Sequence, residues 1–213
     1  MQKNMRKLGA VLIAAVITAG VGIWVPLASA GAREVKPKAP VSETGQTQCW
    51  DEGGLPISCM GTGQDGDIQA GVPFPSPRFT DNGNGTVRDN LTGLIWLKDA
   101  NCFGEQGWAN ALWAAQQLAV PQCDLTDGSV TSDWRLPNVR ELQSLIDFDR
   151  HLPALPTGHP FVGVLATRYW SSTTAASATE AWTIDLGTGG TFPFDKPSNP
   201  VLGPHVWPVR GRE

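Results

Sequence analysis

The four cysteines of this 213-residue chain are the residues with the widest range of possible chemistry. A cysteine can bind a metal, act as a nucleophile or form a disulfide. A zinc site made of four cysteines normally contains Cys-x-x-Cys pairs, and the sequence has none. A basic and then apolar N-terminal stretch predicts export, and an even number of cysteines in an exported chain predicts two disulfides, for which three pairings are possible. Closeness in the sequence favours Cys49 with Cys59 and Cys102 with Cys123.

Specific catalytic motifs are missing, and we therefore expect a protein that is not an enzyme. His151, His159 and His205 lack the spacing of a His-Glu-x-x-His metal site, and we expect them in solvent-exposed loops. No Gly-x-Ser-x-Gly turn is present for a serine hydrolase, and Ser171 and Ser172 fit the polar face of a strand better. The 20 acidic residues could form many carboxylate pairs, so they give a glycosidase no specific support.

Two loops rich in carboxylate and amide oxygens could bind Ca²⁺, which prefers oxygen ligands. Neither loop ends in the closing glutamate of an EF-hand, and tight turns at Asp-Gly and Asn-Gly would explain both sequences without an ion. Calcium is therefore a possible cofactor, and no other cofactor is expected. The candidate ligands are Asp65 and Asp67 in GTGQDGD (61–67), and Asp81, Asn82 and Asn84 in TDNGNG (80–85).

Tryptophan side chains could bind a sugar, because the indole ring offers a large apolar face. The chain has nine tryptophans and one tyrosine. Four tryptophans occupy positions that hydrophobic patterns place in the core: Trp96, Trp108, Trp134 and Trp182. Trp50, Trp113 and Trp170 are the surface candidates.

The first thirty residues have the pattern of a secretory signal peptide. Basic residues precede an apolar run over 8–27, and Ala28-Ser29-Ala30 provides the small residues of a cleavage site. A retained membrane anchor is the alternative, because the run approaches the ~20 residues that span a bilayer. We expect cleavage, which would leave 183 residues, without a membrane span, in the periplasm, in the medium or on the cell surface.

Charge limits the partners of the mature chain. Cleavage would remove three of the 16 basic residues and none of the 20 acidic ones, which changes the net charge from −4 to −7. An acidic chain without a basic face is not expected to bind nucleic acid. One group of arginines could still bind an anionic polysaccharide: Arg135, Arg140, Arg150 and Arg168. The ligand-binding candidates are Arg135, Arg140, Arg168, Trp170 and Trp50.

Composition divides the mature chain into three segments. Residues 31–48 are rich in Pro, Lys, Ser, Thr and Glu, and they are predicted to form a flexible tether. Residues 49–77 form a Gly- and Pro-rich segment that a disulfide would stabilise, and residues 78–213 form the main domain. No solenoid repeat or collagen-like Gly-X-Y run is present.

Short strands and two helices are predicted within the main domain. Asn82-Gly83 and Asn84-Gly85 predict a tight hairpin. Strand patterns occur at 94–97, 169–174, 180–190 and 205–211. A helix is predicted before Pro121, with the buried face Trp108, Leu112, Ala115 and Ala119. This pattern is typical of an α+β domain whose antiparallel sheet holds the helices on one side.

The stretch DWRLPNVRELQSLID (133–147) contains the second helix. Asn138 and Glu141 have the spacing of a capping box, with Asn138 as the N-cap. Trp134 and Leu136 alternate with polar residues as in a strand, and both are expected in the core. Arg135 is expected to bind a nearby carboxylate or carbonyl group or, alternatively, a ligand. The stretch therefore specifies a strand-to-helix joint more strongly than it specifies an activity.

The order and spacing of four motifs resemble the Lcl-type C-terminal domain, a bacterial domain of long unknown function. The motifs are RFTDNGNGTVRDNLTGLIWLKDANCF, DWRLPNVRELQSLID, YWSSTT and VWPVRG, and the resemblance covers about residues 78–211. It implies a C-type-lectin-like fold, related to the fold of formylglycine-generating enzymes. A domain of this family forms the C-terminus of a bacterial collagen-like adhesin. The resemblance to that domain implies binding of sulfated polysaccharides and assembly into trimers.

The sequence departs from both related classes. It lacks the Glu-Pro-Asn or Gln-Pro-Asp triplet and the Trp-Asn-Asp motif of calcium-dependent lectins, and formylglycine enzymes need free cysteines with copper. We therefore expect an exported, non-catalytic, lectin-like module that binds a glycan or another surface polymer, as an adhesin does. The alternatives are an enzyme of the formylglycine-generating type or an uncharacterised hydrolase, and a structural envelope protein that assembles into homo-oligomers.

Overall fold

The computed structural model describes residues 41–197 and 203–211. The predicted signal peptide at 1–30 and residues 31–40 of the predicted tether lie outside the described residues. Residues 41–48 of that tether are hydrogen-bonded to the rest of the domain. The backbone N–H of Phe148 donates to the carbonyl of Thr44 (2.9 Å), and the Thr47 hydroxyl donates to Asp149 (2.8 Å). This part of the segment is therefore attached to the domain.

Short strands dominate the described part of the chain, together with a few short helices. The strands are β1 (Cys49–Trp50), β2 (Pro56–Ile57), β3 (Phe79–Asp81), β4 (Thr86–Asp89), β5 (Ile95–Leu97), β6 (Arg168–Thr174), β7 (Glu180–Asp185), β8 (Thr191–Asp195) and β9 (Val209–Arg210). The helices are α1 (Asp65–Ile68), α2 (Trp108–Gln117) and α3 (Val139–Gln143), with a 3-10 turn at Gln122–Asp124. Within residues 41–197 and 203–211, no helix has the length and hydrophobicity needed to span a bilayer.

The strands pair in antiparallel fashion and form three sheets, with the orders β1-β2, β3-β4-β5-β9 and β6-β7-β8. This architecture is compatible with the predicted α+β class, but the strands do not form one sheet. The strand predicted at 205–211 shortens to β9, because Pro208 has no N–H to donate to a neighbouring strand. No strand is predicted at β8, which contains Pro193. It is an edge strand of its sheet, where a proline is tolerated.

The four-stranded sheet has an apolar inner face and a polar outer face. Its register places three fully buried side chains next to one another on the inner face: Val87, Trp96 and Val209. Side chains alternate between the two faces along each strand. The neighbouring row on the outer face therefore consists of Arg88, Ile95 and Arg210. The turn between β3 and β4 has positive φ at Gly83 and Gly85, as the Asn-Gly pairs predict.

Four tryptophans are fully buried, and one of them corrects a prediction. They are Trp96, Trp134, Trp170 and Trp207. Trp170 is predicted at the surface, but it packs against Ala111 and Ala115 of α2, whose small side chains leave room for the indole ring. Its indole N–H donates to the carbonyl of Gln106 (2.7 Å). Trp108 and Trp182, which are predicted in the core, are half-buried.

Helix α2 buries a face that is rotated from the predicted one, although Ala115 is buried as predicted. The fully buried side chains are those of Ala111, Ala115 and, directly after the helix, Leu118. By contrast, Trp108 and Leu112 are half-buried, and Ala119 lies beyond the end of the helix. The alanines allow a close approach to the β6-β7-β8 sheet, so the bulky side chains lie at the margin of the contact.

Both favoured disulfides are present, Cys49–Cys59 and Cys102–Cys123. The first links β1 to the segment after β2, and the second joins the segments before and after α2. All four cysteines of the chain are therefore oxidised, and none is available as a thiol.

The capping box of α3 is formed as predicted. The Asn138 side chain accepts from the backbone N–H of Glu141 (3.0 Å), and the Glu141 carboxylate accepts from the backbone N–H of Asn138 (2.8 Å). Trp134 is buried as expected. Arg135 pairs with the same Glu141 carboxylate (2.6 Å), so one side chain caps the helix and binds the arginine.

Candidate ligand-binding site

The predicted ligand-binding arginines each have different neighbours. Both terminal nitrogens of Arg135 donate to Glu141, at 2.7 and 2.6 Å. Arg140 is exposed on α3 and donates to Gln143 (3.3 Å). The guanidinium of Arg168 lies above two phenylalanine rings of β8, at 5.0 and 5.7 Å from the ring centroids. These contacts do not indicate a site that the three arginines share.

The two predicted tryptophans differ in exposure. Trp170 is fully buried, so it cannot serve as a surface platform, and that prediction is wrong. Trp50 has 43% of its surface exposed, and its backbone is hydrogen-bonded to the side chain of Gln64 in both directions (3.0 and 2.8 Å). A role for Trp50 in ligand binding stays a prediction.

The predicted calcium ligands make hydrogen bonds within the protein. Asp65 accepts from the Thr44 hydroxyl, Asp67 accepts from a backbone N–H (3.2 Å), and Asp81 pairs with Lys98 (2.8 Å). In the part of the chain that the structure describes, no group of three or more His, Cys, Asp or Glu side chains is arranged to hold a metal ion. The carboxylates of Asp65 and Asp81 thus bond to residues outside their own loops, and calcium binding stays a prediction.

Two of the three histidines are not in the solvent-exposed positions predicted for them. His205 is 7% exposed. Its Nδ1 lies 2.8 Å from Oδ1 of Asn101, and its Nε2 lies 3.7 Å from the Glu105 carboxylate. The pKa of His205 is lowered, because the effect of burial exceeds the opposing effect of the Glu105 charge. His159 is half-buried, and burial lowers its pKa. His151 is exposed, as predicted.

A polar cavity of about 600 Å³ lies on the outer face of the four-stranded sheet, and we call it the sheet cavity. The outer row of the sheet, the turn between β3 and β4, and the loop that follows α2 contribute its walls. The lining residues are Asn82, Asn84, Thr86, Arg88, Gly93, Ile95, Asp127 and Arg210. Two predicted calcium ligands, Asn82 and Asn84, thus lie together in this cavity.

A chain of hydrogen bonds orients the two amides in the sheet cavity. Nδ2 of Asn82 donates to the Thr86 hydroxyl (2.8 Å), and that hydroxyl donates to Oδ1 of Asn84 (2.7 Å). Because Thr86 is fully buried, it holds both amides in place. The carbonyl oxygen of Asn82 and the amide N–H groups of Asn84 then remain for hydrogen bonds to a ligand.

A charged pair forms another part of the cavity wall. Arg210 lies 3.1 Å from Oδ2 of Asp127, whose side chain is fully buried. The guanidinium also lies above the ring of Trp134, 5.2 Å from its centroid. The other oxygen of Asp127 accepts from the backbone N–H (3.1 Å) and the hydroxyl (2.7 Å) of Ser129. These contacts fix the position of both charges.

Arg88 is exposed, whereas the side chain of Arg210 is largely buried. It lies in β4, opposite Thr80 of β3 and Ile95 of β5. Its guanidinium makes no hydrogen bond or ion pair with any residue in 41–197 or 203–211. The cavity therefore has two guanidinium groups and one carboxylate, which is an excess of one positive charge.

The groups in the sheet cavity can bind a ligand through hydrogen bonds and charge. Its one carboxylate, Asp127, is held by an arginine, whereas glycoside hydrolysis normally uses two carboxyl groups. Guanidinium, amide and hydroxyl groups are hydrogen-bonding partners for ligand hydroxyl, carboxylate and sulfate groups.

Sequence reasoning missed Arg88, Asp127 and Arg210. A signal for Arg88 exists, because it alternates with the buried Val87 and Asp89 on a strand and must point outward. The ion pair of Arg210 and Asp127 has no local signal. It depends on how the loop after α2 packs against the sheet.

Fold and site together define a class of protein: an α+β domain with two disulfides and a polar cavity on an antiparallel sheet. Residues 85–210 match the Lcl C-terminal domain family, and because the match covers more than half of the chain, the chain belongs to this family. The family has no assigned function. No curated protein matches the chain. The matched range contains β4 to β9 and, within the sheet cavity, Arg88, Asp127 and Arg210.

Proposed function

We propose that this domain is a non-catalytic, lectin-like module that binds a glycan or another surface polymer in the sheet cavity. The observation that carries the proposal is the environment of Arg88. Its guanidinium lacks a partner among the described residues and lies in a cavity lined with oriented amide, hydroxyl and guanidinium groups.

The cavity favours a hydroxylated ligand that carries an anionic group. Asn82 and Asn84 offer an acceptor and donors for hydroxyl groups. Arg88 can bind a sulfate or carboxylate through two parallel hydrogen bonds. The excess of one positive charge supports the same ligand chemistry. Binding of sulfated polysaccharides, which the resemblance to an adhesin domain implies, would use these groups.

The proposal includes export and a C-type-lectin-like fold. Disulfides form and persist in oxidising compartments, and both cysteine pairs of this chain are disulfides. Removal of the predicted signal peptide would place the domain in the periplasm or outside the cell. The lectin-like fold is supported by the four motifs that resemble the family and by the small antiparallel sheets with few helices.

Binding of the oxidised protein from residue 31 onward to an array of glycans and sulfated polysaccharides tests the proposal. The array would be run with calcium and again with a chelator, which separates calcium-dependent binding from arginine-dependent binding. Arg88→Gln is expected to weaken binding by about tenfold or more, because a hydrogen bond to a charged group contributes about 1.5–3 kcal/mol. Arg140→Gln makes the same chemical change on α3, outside the sheet cavity, and is expected to leave binding unchanged.

The two variants distinguish between possible locations of the site. Loss of binding in Arg140→Gln but not in Arg88→Gln would move the site to the arginines predicted from the sequence. No binding by the unchanged protein across the array would contradict the glycan proposal itself. An unchanged midpoint of thermal unfolding for both variants would show that altered binding does not come from unfolding.

A further inference from the structure

The outward face of α2 carries an exposed tryptophan that borders another cavity. Trp113 has 64% of its surface exposed. The cavity has a volume of about 410 Å³, and its lining combines three apolar residues with four amide side chains: Phe103, Trp113 and Ala114, with Gln106, Asn110, Gln117 and Gln122. We call it the helix cavity. It shares no lining residue with the sheet cavity.

Trp113 does not hold the fold together through its ring. The buried face of α2 is formed by Ala111 and Ala115, and Trp113 points away from it. Among the described residues, its ring takes part in no ring–ring or cation–ring contact, and its indole N–H makes no hydrogen bond. The indole face is therefore open to a ligand.

Two of the four amides lie on the same helix face as Trp113. Asn110 precedes it by three residues and Gln117 follows it by four, and these are the spacings at which helix side chains are neighbours. Neither side chain makes a hydrogen bond with a residue in 41–197 or 203–211. Both amides keep their donors and acceptors free for hydrogen bonds to a ligand.

The other two amides are held by the backbone, which leaves complementary groups free. Oε1 of Gln122 accepts from the backbone N–H of Ala119 (3.2 Å), so its N–H groups remain. Nε2 of Gln106 donates to the carbonyl of Phe103 (3.0 Å), so its oxygen remains available as an acceptor. The cavity thus offers oriented donors and acceptors beside an apolar ring.

The helix cavity is also built on a rigid part of the molecule. The Cys102–Cys123 disulfide joins the segments on either side of α2. The carbonyl of Gln106 accepts from the buried indole N–H of Trp170 (2.7 Å). The backbone under the cavity is therefore held in place before a ligand binds, which lowers the conformational entropy lost on binding.

We propose that the helix cavity binds a neutral pyranose ring of a glycan, with one face of the sugar against Trp113 and its hydroxyl groups on the amides. The lining contains no charged side chain, so it gives no advantage to an anionic ligand. An apolar plane bordered by amides matches a sugar ring, which has C–H groups on its faces and hydroxyl groups at its edge. This site adds to the proposed function, but it does not depend on the sheet cavity.

The test measures binding of neutral oligosaccharides of glucose, galactose, mannose and N-acetylglucosamine to the oxidised protein. The indole N–H resonances in a two-dimensional NMR spectrum report which tryptophan is affected. We expect at least one sugar to shift the Trp113 resonance, and Trp113→Ala to weaken its binding by about tenfold or more. Phe148→Ala is the control, because Phe148 is also an exposed aromatic side chain and lies outside the helix cavity, and we expect it to leave binding of neutral sugars unchanged.

Two outcomes would overturn the inference. One is the absence of binding by every neutral sugar, and the other is binding that survives Trp113→Ala. If sugars fail but Trp113→Ala changes the sedimentation of the protein, the exposed ring serves contacts between copies of the chain instead. Arg88→Gln separates this test from that of the sheet cavity, since it is expected to leave binding of neutral sugars intact.

Discussion

The buried ion pair between Arg78 and Asp89 leads to a quantitative prediction about stability. The two side chains are 6% and 0% exposed. Asp89 also accepts from the backbone N–H of Leu91 (2.8 Å) and from the hydroxyl of Thr92 (2.6 Å), so its carboxylate organises the turn between β4 and β5. The change Asp89→Asn keeps the shape of the side chain and removes its negative charge.

The expected loss of stability follows from the buried charge of Arg78, which Asp89→Asn leaves unpaired. Burial lowers the pKa of Arg78 to about 10, which reflects the free-energy cost of desolvating a charge at this position. Without Asp89, the guanidinium keeps its hydrogen bond to the carbonyl of Ser144 (2.8 Å), a neutral partner. Removal of one member of a buried ion pair typically costs about 3–5 kcal/mol. We expect a loss of this size in the free energy of unfolding.

Urea denaturation, followed by tryptophan fluorescence, measures the loss. Asp195→Asn is the matched control, because Asp195 is exposed on β8, and it is expected to stay within about 0.5 kcal/mol of the unchanged protein. The double variant Arg78→Met with Asp89→Asn is expected to be more stable than Asp89→Asn alone, since no unpaired charge remains and the asparagine oxygen still accepts hydrogen bonds in the turn. A loss below about 1 kcal/mol for Asp89→Asn would refute the reasoning.

Two further predictions concern the disulfide around α2 and the cap of α3. Replacement of Cys102 and Cys123 by alanine is expected to cost about 3 kcal/mol, because the bond spans 21 residues; calorimetry measures this, and an unchanged unfolding midpoint would contradict it. Burial alone would raise the pKa of Glu141, but hydrogen bonds from Arg135 and a backbone N–H lower it below the usual 4.5. Stability from this carboxylate is therefore present above its unfolded pKa and is lost as the pH falls through its folded pKa. Glu141→Gln is expected to flatten the fall of stability between about pH 5 and pH 3, and an unflattened curve of unfolding free energy against pH would show that the carboxylate is not responsible.

Features that depend on neighbours along the chain could be predicted from the sequence. The capping box needs an N-cap residue and an acidic or amide side chain three residues later, and these are Asn138 and Glu141. The hairpin between β3 and β4 follows from its Asn-Gly pairs. Closeness in the sequence favours the pairing of the cysteines, and both disulfides confirm it.

Features that depend on distant packing could not be predicted. Trp170 stands before a run of polar residues, and its burial is decided by the alanines of α2, which come much earlier in the chain. The same contact decides which face of α2 is buried. In the sheet cavity, alternation along β4 could identify Arg88 as outward-facing. Asp127 enters the cavity through a loop, and a loop has no periodicity to interpret.

The pairing of β9 with β5 has a consequence for the order in which parts of the domain can fold. The ring of Trp207 lies 5.4 Å from that of Trp96, and its indole N–H donates to the carbonyl of Leu97 (2.8 Å). Val209 fills the next position on the inner face of the sheet. Contacts between segments so far apart in sequence form late, because a long loop must close first. A chain that emerges residue by residue from a ribosome therefore cannot complete its core until Val209 has emerged.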